Sequence, residues 1–387
     1  MRFIVRRDEF LKALLVAGRA VNSKSSAVPV LSNLKLELTE KGLSITGSNY
    51  ELTIKTTIPY SKDDVELIRN FKEGTTLVNA KIITDMARKI DSEEISFEVI
   101  DSTIAVITAG KIKYNLNCIK ANEYPDIDLE PNGININLTR LEFSALVSQT
   151  AFAASLKEQR PILTAINLEA ADGTLTATST DSARLARKQI PISTDLKFSA
   201  NVPARMMVEV DHLLENTESL KVALSDKKAL FEFENTVVAT RLIAGEYPNT
   251  KNIVPRITNY ALEVNAQDFM KAIDRVNILS IDRENVVDLS LSDEVVEISA
   301  KSTQVGSASE KIDVFKFEGN NLQISFNSEF VLSAIKALNA TDVTFLFVGE
   351  MKPFVIKNPE DESVIQIVTP VRTYWENEFY INWGVKR

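Results

Sequence analysis

Residue types able to do chemistry are few and scattered in this chain. Its 387 residues include one histidine, His212, and one cysteine, Cys118. A single His excludes a His-rich metal centre and leaves at most one Ser-His-Asp candidate. His212 falls on the polar face of a helix-like run, where it reads as a solvated side chain. Cys118 lies in the strand-like run "KYNLNCIK" and reads as a packed residue rather than a nucleophile. Neither G-x-x-x-x-G-K-[ST] nor G-x-G-x-x-G occurs, and only 12 glycines are present, so no phosphate-cradling loop is encoded. One cluster stands out, "STDSAR" at 179–184. A Ser/Asp/Arg set in a loop suits catalysis, and turn formation and capping account for the same residues equally well. The expectation is a protein that is not an enzyme and holds no metal or cofactor.

Charge points to binding. The net charge is −9 and the pI about 5.1, which argues against nucleic-acid binding over the whole surface but permits a local basic patch. No stretch reaches the ~18–20 apolar residues of a membrane span. The start, "MRFIVRRDEF", has no signal-peptide apolar region, and one cysteine suits a reducing compartment. The expected location is the cytoplasm.

The elements that position these residues repeat. An acidic residue near a Phe opens helix-like runs in "DEFLKAL" (8–14), "LEFSALV" (141–147) and "QDFMKAI" (267–273). Alternating strand-like runs follow each, with Lys41-Gly42 and Asp172-Gly173 as hairpin turns. A second strand–helix–strands theme then follows. It closes on "NEYPDI" (122–127), on "GEYPNT" (245–250) and finally on "PVRTY" (370–374). The Pro in each phrase forces an extended exit. The reading is α+β: three tandem domains, 1–128, 129–253 and 254–387, each a doubled unit of one helix plus about four mostly antiparallel strands.

At ~100° per residue the helices share one design. Phe10, Leu14, Ala17 and Val21 face inward, as do Ile83, Met86, Ala87 and Ile90. So do Met206, Val210, Leu213 and Leu214, and Phe269, Ala272, Ile273 and Val276. Lys12, Arg19, Lys81, Arg88, Lys89, Arg205, His212, Lys271, Arg275 and Lys336 face outward. The third helix is the exception, with Ser144 and Ser148 outward and Lys157 and Arg160 after it. A charged outer face is ordinarily only solvated. Basic faces at five of six equivalent positions in an acidic protein would, on one common surface, track phosphates without reading bases.

The three repeats, the basic faces, "TSTDSARLA", "AVPVLSNLKLEL" (27–38), "AIDR" (272–275), "ISFNSEFVLSAIKAL" (324–338), "MKPFVIKNPED" (351–361) and "PVRTY" closely resemble the bacterial β sliding clamp family, the beta subunit of DNA polymerase III. The resemblance runs from Met1 to Tyr374. It implies a ring-shaped homodimer joined head to tail, with sheets outside and helices lining a pore. Duplex DNA would be held there topologically, without sequence preference. Implied partners are the polymerase III catalytic subunit, the clamp loader and other proteins carrying a clamp-binding motif.

The resemblance also carries site residues. Implied DNA contacts are Lys24 or Ser25, Lys81 and Lys157, with Arg160 beside the last. At the ring joint Lys111 and Tyr114 would meet Ile278 and Leu279. An apolar cleft between the second and third domains, for partner peptides, would use Leu163, Thr180, Arg184, Leu185, Pro248, Ile253 and Asn327. Phe330, Met351, Pro353, Val368, Pro370, Val371 and Arg372 would complete it. Two departures from the family are visible: Ala183 where the family has His, and an aromatic tail, 375–387, that would cover the cleft or recruit another partner. Alternatives are an enzyme using the 179–184 loop, and a clamp-fold peptide-binding scaffold or paralogue that forms no closed ring.

Overall fold

Local chemistry sets the elements. The computed structural model describes residues 1–21, 28–193, 195–215, 217–255, 257–280 and 285–372. Among them are six α-helices: α1 (Arg7–Gly18), α2 (Ala80–Lys89), α3 (Arg140–Ser148), α4 (Ala204–Leu213), α5 (Ala266–Asn277) and α6 (Ser328–Leu338). Three start on an Asn whose side-chain oxygen accepts a backbone N–H of the first turn: Asn79, Asn265 and Asn327. A capping box starts α3. The Thr139 hydroxyl accepts from the Glu142 N–H at 3.2 Å, and the Glu142 carboxylate accepts from the Thr139 N–H at 2.8 Å.

The Phe that opens alternate helices has a structural reason. Phe10, Phe143 and Phe269 are fully buried. Each meets a strand Phe, with centroids 6.1 Å apart for Phe10–Phe3, 5.7 Å for Phe143–Phe231 and 4.9 Å for Phe269–Phe345. Such pairs favour edge or tilted geometry and fix how a helix sits on its sheet. The inward faces read from periodicity are buried or half-buried, and the outward basic residues, His212 and Ser148 are exposed. Ser144, read as outward, is instead half-buried, because its hydroxyl donates to the Asp211 carboxylate of α4.

The chain divides into two compact units, Met1–Val147 with Ala200–Gly245, and Ser148–Ser199 with Glu246–Arg387. The first contains a five-stranded sheet in the order Ile112–Asn117, Ile104–Ala109, Glu94–Ile100, Arg2–Arg6, Ile68–Lys72. Its larger sheet runs Ile134–Thr139, Ser219–Leu224, Lys228–Phe233, Thr236–Arg241, Leu52–Ile58, Gly42–Ser48, Asn33–Thr39, Gly74–Asn79. The second unit has a four-stranded sheet, Gly306–Ile312, Val296–Ser302, Val286–Leu291, Leu322–Asn327. In its larger sheet Ala165–Ala171, Thr174–Thr180, Arg184–Pro191, Asp361–Val368, Phe354–Asn358, Asp342–Phe347 and Tyr260–Asn265 are successive neighbours.

Pairing is antiparallel, as the hairpin turns require. At Asp172-Gly173 both central residues have positive φ, 50° and 72°, the mirror-image turn that matches strand twist. Each larger sheet joins strands of consecutive sequence repeats: Ile54 is opposite Val238, and Arg184 opposite Val368. Each unit therefore mixes two repeats. Cys118 is buried just after the strand Ile112–Asn117, with its N–H on the Thr103 carbonyl at 2.7 Å. Burial pushes its thiol pKa up, so it packs rather than attacks.

Candidate functional site

The loop between the strands Thr174–Thr180 and Arg184–Pro191 organises the candidate cleft. One Asp181 oxygen accepts the N–H groups of Ala183 and Arg184 at 2.9 and 3.0 Å. The other accepts Arg184 Nε at 3.0 Å. The Thr180 hydroxyl accepts from the Ser182 N–H at 3.1 Å and donates to the Arg184 carbonyl at 2.6 Å. Ser182 sits at φ 83°. Of the two readings of "STDSAR", turn formation and capping describe these contacts.

Arg184 is the centre. Its side chain is 14% exposed. The guanidinium lies 4.5 Å from the Phe330 ring centroid and 5.5 Å from that of Phe152. A desolvated cation between ring faces is worth up to about 2 kcal/mol. Asn327 caps the helix that carries Phe330. Val368 stands opposite Arg184, and Phe354 opposite Val368. The segment after that strand is tied down: Thr369 donates its N–H and hydroxyl to the Ala183 carbonyl at 2.9 and 2.7 Å, and the Val371 N–H donates to the Ser325 carbonyl at 2.8 Å. The structure thus gathers Thr180, Arg184, Asn327, Phe330, Val368, Pro370 and Val371 around one loop.

Leu185 points to the opposite face of the sheet, because side chains alternate along a strand. There it packs with Val355 and Ile367. Leu163 is buried in the short turn Pro161–Thr164, against the strands Ala165–Ala171 and Thr174–Thr180. Pro248 and Pro353 are half-buried, Arg372 is exposed, and Ile253 and Met351 are 40% and 49% exposed. The tail from Thr373, including 375–387, lies outside the described residues.

Three residues belong here that were not singled out as site residues. Tyr247, in the second Glu-Tyr-Pro phrase, accepts the Thr180 N–H on its phenol oxygen at 3.0 Å. Burial pushes its pKa up to about 12. The repeated phrase was the signal for it. Phe152 flanks Arg184 and carries no local sequence signal. Gln366 is fully buried and donates to the Gln149 carbonyl at 3.0 Å. Nearby, Arg187 donates to the Thr250 carbonyl and hydroxyl at 3.2 and 3.0 Å. Burial lowers its pKa, opposed by Glu169.

Of the expected DNA contacts, Lys81, Lys157 and Arg160 are exposed, and Lys24 and Ser25 lie outside the described residues. Arg160 donates to the Ser182 hydroxyl at 3.3 Å. Several outward helix cations are neutralised. Arg19 pairs with Glu209 at 2.5 Å, Arg88 with Asp85 at 2.9 Å and Arg275 with Glu310 at 2.7 Å, and Arg205 pairs with Glu51. Lys12, Lys81, Lys89 and Lys336 form no ion pair among the described residues. Of the joint residues, Lys111 and Ile278 are exposed and Tyr114 and Leu279 half-buried. Tyr114 lies on the edge strand Ile112–Asn117. Among the described residues no group of His, Cys, Asp or Glu is arranged to hold a metal, and no helix is long and apolar enough to cross a membrane.

Three family descriptions match the chain in order. They are the DNA polymerase III beta subunit N-terminal domain at residues 1–128, its central domain at 137–249 and its C-terminal domain at 251–372. The chain is 32% identical over 379 residues to the beta sliding clamp of Bacillus subtilis, covering 97% of this chain and all of that one. It is 32% identical over 381 residues to the beta sliding clamp of Halalkalibacterium halodurans, with the same coverage. The crystal structure of the Bacillus subtilis clamp superposes with a TM-score of 0.93 at 30% identity, covering 97% of this chain and 100% of that one. The beta chain of DNA polymerase III from Streptococcus pneumoniae gives a TM-score of 0.92 at 29% identity over 96% of this chain and 100% of that one. The fold is therefore the DNA-clamp fold, built on three tandem clamp domains. The chain belongs to the DNA polymerase III beta subunit family, and its function is that of a DNA sliding clamp, a processivity subunit with no catalytic site of its own.

Proposed function

We propose that two copies of this chain close into a ring around duplex DNA and tether the replicative polymerase in the cytoplasm. The single observation that carries the reading is the full-length correspondence to solved sliding clamps. The ring would contain three clamp domains per copy, 1–128, 129–253 and 254–387. Lys111 and Tyr114 of one copy would meet Ile278 and Leu279 of the other. Lys81, Lys157, Arg160 and the Lys24–Ser25 stretch would face phosphates. With a net charge of −9, retention must come from closure rather than attraction, so each phosphate contact can be weak and mobile.

The loop around Arg184 supports a docking role for the cleft. The half-exposed Met351 and Ile253 and the half-buried Phe330 supply anchor surface, and the fixed Arg184 a polar rim. The clamp loader, the polymerase III catalytic subunit and other proteins with a clamp-binding motif would present short peptides to it.

The test is retention on DNA. The protein is loaded onto a nicked circular plasmid with a bacterial clamp loader and ATP, the complex is isolated, and the circle is cut once. Release on linearisation is expected. Protein that stays bound to the linear DNA would contradict topological holding.

A further inference from the structure

The Arg184 loop has a structural twin in the first unit. The Ser48 hydroxyl accepts from the Tyr50 N–H at 3.2 Å, as Thr180 does from Ser182. Asn49 Oδ1 accepts the N–H groups of Glu51 and Leu52 at 3.0 and 2.8 Å, as one Asp181 oxygen does those of Ala183 and Arg184. Tyr50 has φ 72°, where Ser182 has 83°. The Arg241 N–H donates to the Glu51 carbonyl at 3.2 Å, matching Thr369 on Ala183. The Ile243 N–H donates to the Asn201 carbonyl at 2.9 Å, matching Val371 on Ser325. Five independent hydrogen-bond and dihedral features therefore coincide.

The two frames differ in what fills them. In the second unit, register places Leu185, Ile367, Val355 and Leu346 side by side across four strands. The matching row in the first unit is Thr53, Ala239, Leu230 and Ala223. Three of its four side chains are shorter. Above Thr53 and Ala239 lies a cavity of about 560 Å³, within the size range of ligand pockets.

Charge restricts the occupant. Among the lining residues Lys228 is neutralised by Asp128 at 2.7 Å, and Glu51 is engaged by Arg205. That leaves two cations, Lys227 and Arg241, and two anions, Asp126 and Asp226, with no ion pair among the described residues. A rim with as many free anions as free cations disfavours a polyanion such as nucleic acid, because it offers no net attraction to phosphates. It suits a segment that carries both signs. The floor, one methyl and one Thr deep, has room for a single aliphatic side chain.

We infer that this cavity is a second docking site. Its occupant is an extended, mixed-charge peptide segment of a partner protein, with one aliphatic residue seated over Thr53 and Ala239. The cavity stands whether or not the cleft around Arg184 takes peptides.

The test titrates the full-length, methyl-labelled protein with acetyl-Asp-Leu-Lys-amide and follows the methyl resonances of Ile127 and Ala239. Saturable shifts with a dissociation constant on the order of millimolar are expected. Ala239→Ile, which fills the floor as the second unit does, should weaken binding at least ~10-fold. Thr53→Leu offers the same block if Ala239→Ile fails to fold. The inference is overturned by shifts confined to Leu185 and Ile367, by no saturable shift at all, or by binding that survives both substitutions. Saturation by an oligothymidylate without response to the peptide would also overturn it.

Discussion

At the scale of single residues, two tyrosines in the same phrase do different work. The phenol oxygen of Tyr247 is the acceptor for the Thr180 N–H. That of Tyr124 is buried with no partner among the described residues, in a small cluster with Leu31 and Leu77. Tyr247→Phe should cost about 1–2 kcal/mol, since it strands a partly buried N–H, while Tyr124→Phe should be neutral or stabilising. Urea unfolding of both variants checks the contrast, and equal costs would contradict it. The sequence exposed both tyrosines through their repetition. It could not tell them apart, because the distinction lies in a partner 67 positions away. "STDSAR" was legible only as two alternatives for a related reason. The Asp181 turn is local and could be read, whereas the stacking of Arg184 depends on rings distant in sequence on both sides, Phe152 before it and Phe330 after it.

At the scale of elements, the helices and their buried faces were readable because periodicity is local. The electrostatics of those faces were not. Arg19 and Arg275 look free along their own helices, and each is neutralised by an acid on another element, Glu209 and Glu310. The basic character therefore concentrates on fewer lysines than helical periodicity implied. The two loop frames also differ beneath their first residue. At Ser179 the hydroxyl donates to the Thr150 carbonyl after α3. At the matching Gly47, an added Cβ would lie 2.2 Å from the Ala17 carbonyl of α1. Gly47→Ala should therefore destabilise the first unit by about 2–3 kcal/mol, the cost of overpacking against unyielding backbone. Thermal unfolding measures this, and an unchanged midpoint would show that α1 shifts freely.

At the scale of the whole chain, the threefold repeat was legible, and so was the fold class it implies. The strand pairing between repeats was not, since the strands Leu52–Ile58 and Thr236–Arg241 join over a long sequence gap. The proposed dimer makes a prediction here. Ile278 is 67% exposed, so Ile278→Asp should leave the fold intact yet bury an unpaired charge in a closed ring. Mass in solution should fall from twice 43.1 kDa to 43.1 kDa, and a variant that keeps the double mass would place the joint elsewhere. Finally, the lone thiol of Cys118 has a kinetic consequence. It is the chain's only cysteine and it sits in the first unit's interior. A thiol reagent can reach it only when that unit opens, so its labelling rate in unaltered protein is a clock for that opening. The second unit contributes no signal to the measurement.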